Sequence, residues 1–357
     1  MTLDQQPIQS KQNLSLKGKL INRFLTWLRL TDQPVVNVYR GFGNAQKVTI
    51  HGHALRRSAQ PRKNYRNSAV VNLLAVLRLF LVRPYPQATI RVRLGDHTTE
   101  IRTDPDGYFR IELPLEQALP PGWHSVKAQM VSQTISPETI LAEGEGKILI
   151  PHQTPFLCIS DIDDTFLISH SATIGKRLLV LLTQNAHSRD PFEGVVAHYQ
   201  LLAEAASGPD ATNPFFYVSS SEWNLYDYIL EFSRKNGLPE GIYLLSQLKQ
   251  LSQLLQTGKT KHLTKFDRIV RIIETYPDRK FILLGDDSQQ DPPIYESIVR
   301  HFPQQILCVY IRRIHPKKQD ATNELMKKIE ANGVAYCYFA NSAEAHRHSV
   351  EMGLVAS

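Results

Sequence analysis

The sequence lacks long apolar runs and contains little cysteine. No stretch of about 18 consecutive apolar residues occurs in the chain, so a transmembrane helix is not predicted. The first residues also lack the basic and then apolar order of a secretory signal. Cys158, Cys308 and Cys337 lie in apolar runs without C-x-x-C spacing. We therefore expect three buried, reduced thiols and a cytoplasmic protein.

Acidic residues are fewer than basic ones, which leaves a formal net charge of +7. A basic surface favours anionic partners, such as a phosphorylated substrate, a membrane lipid or a nucleic acid, but an ordinary excess of solvated charges explains it equally well. The basic residues are dispersed and accompany no recognised motif, which disfavours nucleic acid. Residues 17–30 have the pattern of a basic amphipathic helix, which would either contact a membrane surface peripherally or pack on its own protein.

The residue pattern in the first half of the chain predicts a β-rich region without catalytic groups. Residues 1–33 comprise a polar tail and the amphipathic helix. Residues 34–150 contain short runs rich in Val, Ile, Thr and Tyr, separated by turn signals such as LGDH and DPDG, which predicts a β-sandwich-like accessory domain. A helix-like run at 70–80 interrupts this pattern. His51 and His53 alternate on one face of a strand, and a bare H-x-H is a weak signal for a metal site.

The second half, residues 151–357, has a different rhythm. Apolar runs such as FLCIS, FFYVS, FILLG and ILCVYI alternate with helix-like stretches. Near-continuous apolar strands that alternate with helices predict an α/β domain, in which helices cover both faces of a parallel sheet. Because such sheets bind ligands beyond the carboxyl ends of their strands, the residues that follow each apolar run are the candidates for chemistry.

Acidic clusters follow two of these apolar runs. One run ends in SDIDDT and a later one ends in GDDSQQD. Carboxylates grouped at the end of a buried strand repel each other and lose their solvation unless a cation lies among them. A hard divalent ion with oxygen ligands is the natural compensation, and an acidic turn that caps the next helix is the alternative. Two acidic strand ends in one parallel sheet predict one shared metal site.

Hydroxyl groups and a lysine complete the candidate set. Another apolar run ends in Ser219-Ser220-Ser221, whose hydroxyls could donate to a phosphoryl oxygen or cap the following helix. Lys265 opens the amphipathic stretch KFDRIVRIIETY before the second acidic cluster. It could balance the acids and a phosphate, or it could be one more solvated lysine.

These motifs together resemble a known enzyme family. DIDDT fits the D-x-D-x-T signature of haloacid-dehalogenase-type phosphatases, and a strand-end serine, a lysine and GDD…D follow in the order that such enzymes require. More closely, the chain resembles the App1-type phosphatidate phosphatase family through ISDIDDT, FFYVSSSEWNLYDYI, LTKFDRI, FILLGDDSQQDPPIYESIV and VYIRR, and through VYRGFG and TDPDGYFRIEL in the front half. The resemblance covers about residues 35–350 and implies a haloacid-dehalogenase-like catalytic domain behind the β-rich domain.

The same resemblance implies a role for each site residue. Asp161 would be the nucleophile and Asp163 the general acid and base. Mg²⁺ would be bound by Asp161, Asp163 and Asp286. Ser219 and Lys265 would stabilise charge in the transition state. The residues that would bind the substrate are Thr165, Ser219, Ser220 and Lys265. The acids that would orient metal-bound water or Lys265 are Asp287 and Asp291.

The resemblance implies hydrolysis of phosphatidate to diacylglycerol and phosphate through an aspartyl-phosphate, with an anionic phospholipid as the substrate. One alternative is a soluble phosphatase for a sugar phosphate, a nucleotide or a phosphoprotein. An alternative from another class is a non-catalytic binding protein with a vestigial phosphatase fold.

Overall fold

The computed structural model describes residues 30–31, 33–59, 78–132, 139–162, 194–205, 211–246, 261–288 and 290–356. Most of the predicted amphipathic helix therefore lies outside the described residues. Its last residue, Leu30, instead begins a short strand, because its backbone pairs with Ala59. Of the helix-like run 70–80, only 78–80 are described, and they form a 3-10 turn whose Phe80 packs into a hydrophobic core. Across these ranges, no helix has the length and apolar character needed to cross a membrane.

The front half forms a mostly antiparallel sheet of ten described strands. These strands are β1 (Leu30–Thr31), β2 (Val35–Val38), β3 (Gly41–Gly43), β4 (Lys47–Ala59), β5 (Arg83–Pro84), β6 (Thr89–Leu94), β7 (His97–Arg102), β8 (Tyr108–Pro114), β9 (Gly122–Val131) and β10 (Ile140–Ile150).

Two arms of this sheet enclose a common core. In one arm the long strand β4 pairs with β1, β2, β3, β5 and β8, and in the other β10, β9, β6 and β7 follow one another. β3 joins the arms, because it pairs with both β4 and β10. Ile50 and Phe109 from the first arm pack with Ile90, Val126 and Ile148 from the second. The described strands thus form one continuous sheet, and the division into two stacked sheets stays a prediction.

The second half forms the predicted α/β arrangement. Its strands are β11 (Leu157–Asp161), β12 (Phe215–Glu222), β13 (Gly241–Ser246), β14 (Phe281–Asp286), β15 (Ile306–Arg312) and β16 (Ala335–Phe339). Its described helices are α1 (Val195–Glu204), α2 (Tyr226–Lys235), α3 (Lys261–Thr275), α4 (Asp291–His301), α5 (Gln319–Ala331) and α6 (Ser342–Glu351).

All six strands are parallel, in the order β13-β12-β11-β14-β15-β16. The prediction of a parallel sheet covered on both faces is confirmed. Tyr199 of α1 packs against strand residues of one face, and Ile269 of α3 and Ile298 of α4 pack against those of the other. The order reverses between β11 and β14, which is where doubly wound sheets bind their ligands.

The cysteines follow from these strand positions. Cys158 and Cys308 are buried in inner strands, but Cys337 is only partly buried, and all three are free thiols. The expectation of three buried thiols was therefore wrong for Cys337. This residue lies on β16, and an edge strand is covered less completely than the strands inside the sheet.

The junction segment, residues 39–44, docks the front sheet on the α/β domain. Tyr39 stacks on Trp223 with ring centroids 4.2 Å apart, and Phe42 meets Phe216 edge-on at 5.5 Å. Four hydrogen bonds add to these contacts: Arg40 N to Tyr226 OH (3.0 Å), Arg40 Nη1 to Gly241 O (3.0 Å), Asn44 Nδ2 to Thr275 O (2.8 Å) and Tyr276 OH to Gly43 O (3.0 Å). The VYRGFG motif is thus the structural link between the two halves.

Candidate functional site

Each of the two central strands of the parallel sheet ends in a buried aspartate. Asp161 is the last residue of β11 and Asp286 is the last residue of β14, and both are fully buried. The two strands are direct neighbours in parallel register, and the strand order reverses between them. The sheet itself therefore brings the two acidic strand ends to one place.

Lys265 lies among these acids. The lysine is 3% exposed, its Nζ is 2.9 Å from Asp161 Oδ1, and it also donates to Asp291 Oδ1. Asp291, the first residue of α4, accepts a hydrogen bond with its other oxygen from the backbone N–H of Asp286 at 3.3 Å. Asp161, Lys265, Asp286 and Asp291 thus form one connected group, which we call the Lys265 cluster.

Burial sets the electrostatics of the Lys265 cluster. Burial raises the pKa of Asp291; the charge of Lys265 opposes this shift, and the charge of Asp286 adds to it. Several carboxylates in a dry site would take up protons without a cation beside them. The lysine therefore favours the ionised form of these acids, and an ionised carboxylate is what a nucleophile or a metal ligand requires.

A glycine makes room for this arrangement. A Cβ atom on Gly285 would lie 2.5 Å from Asp291 Oδ2 and 2.9 Å from the ring of Tyr295. Such distances are far below van der Waals contact, so any side chain at this position would displace Asp291. The glycine before Asp286 in the GDD motif is explained by the close approach of Asp291.

The serines occupy a bulge in β12. The pairing of β12 with β13 shifts between Val218 and Glu222, and within this bulge Ser219 Oγ accepts a hydrogen bond from Ser221 N at 2.9 Å. Ser219 is fully buried and Ser220 is partly exposed. The alternative of a serine cap is wrong, because β12 continues to Glu222 and α2 begins four residues later, at Tyr226, without a side-chain cap.

Asp287 has a different environment from its neighbour Asp286. Its Oδ1 accepts hydrogen bonds from the backbone N–H groups of Ile314 (2.7 Å) and His315 (2.8 Å). Its Oδ2 accepts one from the hydroxyl of Tyr338 at 2.6 Å. These hydrogen bonds hold the segment after β15 in place. The orientation of a metal-bound water by Asp287 stays a prediction.

Two predicted site residues, Asp163 and Thr165, lie outside the described residues, so their roles stay predictions. The same holds for Asp164 and for much of the stretch 166–210, of which 194–205 are described and contain α1.

Sequence reasoning missed two residues, Ser160 and Tyr199, that lie beside Asp161. Ser160 Oγ donates to the backbone oxygen of Asp161 at 2.9 Å and lies 2.9 Å from the hydroxyl of Tyr199 on α1. Burial raises the pKa of Tyr199, so its phenol stays neutral. Ser160 could have been noticed as a polar residue inside an apolar run, whereas nothing distinguishes Tyr199 from an ordinary core aromatic residue.

The donor set fits a hard divalent cation. Within the described ranges, no group of three or more His, Cys, Asp or Glu side chains is arranged to hold a metal ion. Mg²⁺ needs fewer protein ligands, because it keeps several waters and commonly takes one or two carboxylates together with substrate phosphate. Asp161 and Asp286 are two buried carboxylates of this type, and their sharing of one metal ion stays a prediction.

Comparison with known proteins shows that the segment containing Asp161, Lys265 and Asp286 is similar to a phosphatase catalytic domain. Residues 156–313 match the family described as phosphatidate phosphatase APP1, catalytic domain. Phosphatidate phosphatase APP1 of Saccharomyces cerevisiae is 31% identical over 156 residues, which are 43% of this chain and 25% of the yeast protein. An uncharacterized protein of Schizosaccharomyces pombe is 26% identical over 224 residues, 60% of this chain and 34% of that protein. The chain thus spans about a quarter to a third of the length of these curated relatives.

Solved structures add little to this comparison. A carbohydrate acetylesterase from Xanthomonas citri aligns over 89% of this chain and 71% of its own, with 10% sequence identity and a TM-score of 0.32. A likeness this low supports no statement about function.

Proposed function

We propose that this chain, whose residues 156–313 match the catalytic domain of phosphatidate phosphatase APP1, is a phosphatase that hydrolyses phosphatidate to diacylglycerol and phosphate. The observation that carries this proposal is the Lys265 cluster, in which a fully buried Asp161 lies 2.9 Å from a buried lysine. The cluster lies at the edge of the parallel sheet where ligands of such folds bind.

Asp161 is the nucleophile of the proposed reaction. One of its carboxylate oxygens attacks the phosphorus as the bond to the ester oxygen breaks, which gives an aspartyl-phosphate and an alkoxide. Asp163 gives a proton to the alkoxide, as the family resemblance implies. It then takes a proton from the water that attacks the phosphorus and releases orthophosphate, and Asp161 is regenerated.

The other residues of the cluster control charge around Asp161. Lys265 offsets the repulsion between the anionic nucleophile and the anionic phosphoryl group, and Asp291 fixes the position of the lysine. Ser219 donates to a phosphoryl oxygen from the bulge in β12. Mg²⁺, held by Asp161, Asp286 and the backbone carbonyl of Asp163, would supply further positive charge to the phosphoryl oxygens.

The membrane contact is part of the same proposal. Phosphatidate lies in a bilayer, and the chain has a net charge of +7. Each basic residue near an anionic surface contributes about 1 kcal/mol to binding. We therefore propose peripheral and reversible contact with the cytoplasmic face of a membrane.

A phosphate-release screen tests the proposed reaction. Phosphatidate, lysophosphatidate and diacylglycerol pyrophosphate in mixed vesicles are compared with soluble sugar phosphates, nucleotides and phosphopeptides, with Mg²⁺ and with a chelator. We expect Mg²⁺-dependent release that is fastest from phosphatidate. Asp161→Asn should lower kcat by a factor of at least ~10³, because the nucleophile and its supporting groups act as a unit.

The matched control is Asp278→Asn, which makes the same chemical change at an exposed position. Equal turnover by Asp161→Asn and the control would refute the mechanism. Faster release from soluble esters would favour a soluble phosphatase, and no release from any substrate would favour a vestigial fold that only binds.

A further inference from the structure

A second polar site adjoins the Lys265 cluster at the carboxyl edge of the sheet, on the face that α1 covers. A cavity lies at the carboxyl ends of β14, β15 and β16, and its lining includes Val195, His198, Tyr199, Arg312, Phe339 and Ser342. The cavity has a volume of about 10 Å³, which is room for roughly one water molecule or one oxygen atom of a ligand. We call it the Arg312 pocket.

Arg312 brings positive charge to this pocket. It is the last residue of β15 and pairs in register with Asp286 of β14. Side chains of paired residues in neighbouring strands lie on the same face of a sheet, so the guanidinium belongs to the face of Asp286. A planar guanidinium matches the oxygens of phosphate better than an ammonium group does.

Two helices begin at the same pocket. α1 starts at Val195 and α6 starts at Ser342, and both residues line the cavity. The starts are packed closely, since a Cβ atom on Gly194 would lie 2.9 Å from the Cβ of Ser342. The first turn of a helix carries N–H groups without intrahelical acceptors and a partial positive charge. Two helix starts and an arginine together favour an anion.

The hydroxyl of Ser342 is evidence for a ligand that does not depend on the helix starts. Ser342 is 7% exposed, and its Oγ has no hydrogen-bond partner in the described part of the chain. It is not needed as a helix cap, because the side chain of Asn341 accepts the hydrogen bond from Glu344 N at 3.2 Å. A buried hydroxyl without a partner costs free energy, and a ligand oxygen would remove that cost.

We propose that the Arg312 pocket is an oxyanion subsite that takes an oxygen of a phosphoryl group, with Arg312 and Ser342 as its donors. The phosphoryl group is that of the substrate or of released orthophosphate, so this inference rests on the proposed function for the source of its ligand. Both sources share one chemistry, a tetrahedral phosphorus with anionic oxygens. Arg312 is thereby a binding residue as well as a neighbour of Asp286.

Direct binding of orthophosphate is the first test. Isothermal titration calorimetry of the full chain in MgCl₂ compares the wild type with Arg312→Gln, Arg312→Lys and Ser342→Ala. Hydrogen bonds to charged groups are the stronger ones, so we expect Arg312→Gln to weaken binding about 10-fold or more, Ser342→Ala by a smaller factor, and Arg312→Lys to recover part of the loss. Circular dichroism verifies that each variant is folded.

Arg313→Gln is the matched control. Arg313 is the next residue, is exposed, and lies over the ring of Tyr338 instead of in the pocket, so its substitution makes the same change in net charge and should leave binding unchanged. Ser342→Ala separates the subsite from a simple counter-ion role of Arg312, because a serine carries no charge to balance Asp286. Wild-type affinity in both Arg312→Gln and Ser342→Ala would overturn the proposal.

Steady-state kinetics distinguish the two sources of the ligand. A higher KM for phosphatidate with little change in kcat identifies the substrate phosphoryl group, whereas a higher inhibition constant for orthophosphate alone identifies the product. If the wild type hydrolyses phosphatidate and neither Arg312→Gln nor Ser342→Ala changes phosphate binding or kinetics, the subsite is overturned and the proposed function stays intact. If the wild type shows no turnover but the variants bind phosphate more weakly than the wild type does, the proposed function is overturned and the subsite stays intact.

Discussion

Replacement of Lys265 by methionine would remove a cation that contacts two fully buried carboxylates. The methionine has a similar length, so the change is mainly one of charge. Lys265 Nζ lies 2.9 Å from Asp161 Oδ1, and at an effective dielectric constant of about 20 this separation corresponds to an attraction of about 6 kcal/mol. The desolvation of the lysine opposes this attraction. Breaking a buried ion pair by removing one partner costs about 3–5 kcal/mol, and we expect a loss of unfolding free energy in that range.

Urea denaturation followed by circular dichroism, without Mg²⁺, measures this loss. The exposed Lys280 lies near the other end of β14, and Lys280→Met should change the unfolding free energy by less than about 0.5 kcal/mol. A double-mutant cycle with Asp291→Asn tests whether the loss arises from the cluster. The double variant should be more stable than the sum of the two single changes by about 1–3 kcal/mol.

The pH dependence of the unfolding free energy is a second test of Lys265→Met. Burial already raises the pKa of Asp291, and loss of Lys265 removes the main contribution that lowers it. A carboxyl group with a raised pKa in the folded state contributes stability that is present below its unfolded pKa and is lost as the pH rises. The destabilisation of Lys265→Met should therefore be smaller near pH 4 than near pH 7. Additive losses in the cycle, or a destabilisation independent of pH, would refute the account of the cluster.

Two further predictions concern the front sheet and its junction. Burial, and to a smaller extent the charge of Arg110, lowers the pKa of His51 from 6.5 to about 3. Between these two pH values His51 is protonated in the unfolded chain but not in the folded one. Stability that is present above pH 6.5 is therefore lost as the pH falls, by about 1.4 kcal/mol per pH unit. Urea denaturation of His51→Asn and wild type across pH 5 to 7 measures this slope, and equal slopes would contradict the assignment. Tyr39→Ala deletes the ring stacked on Trp223 and should cost about 3–5 kcal/mol in the same assay, where Leu201→Ala at an exposed position is the control; a loss below about 1 kcal/mol would show that the junction contributes little.

Much of the α/β domain could be predicted from the sequence, because its features are local and periodic. Each buried parallel strand is a short apolar run, and each acid or serine of interest follows such a run directly. The position of Asp161 and Asp286 on the carboxyl edge of the sheet follows from the direction of parallel strands, whereas the strand order decided that β11 and β14 are neighbours. The family resemblance supplied the roles of these residues.

Other features could not be predicted, because they depend on contacts between distant segments. The serine cap seemed reasonable from SSSEWN alone, yet a bulge in β12 carries the strand past the serines. Asp287 looks like a second copy of Asp286, but its carboxylate accepts hydrogen bonds from residues 314 and 315. The partial exposure of Cys337 depends on β16 being an edge strand.

The sequence by itself determined the alternation of strands and helices in the second half and the chemical types of the groups at the strand ends. Only the tertiary structure decided that Lys265 bridges Asp161 and Asp291, that residues 39–44 dock one half on the other, and that Arg312 and Ser342 share a pocket. The physical reason is range: apolar periodicity is recorded within about ten neighbouring residues. A buried ion pair or pocket depends on strand order and helix packing, which bring together residues far apart in the chain.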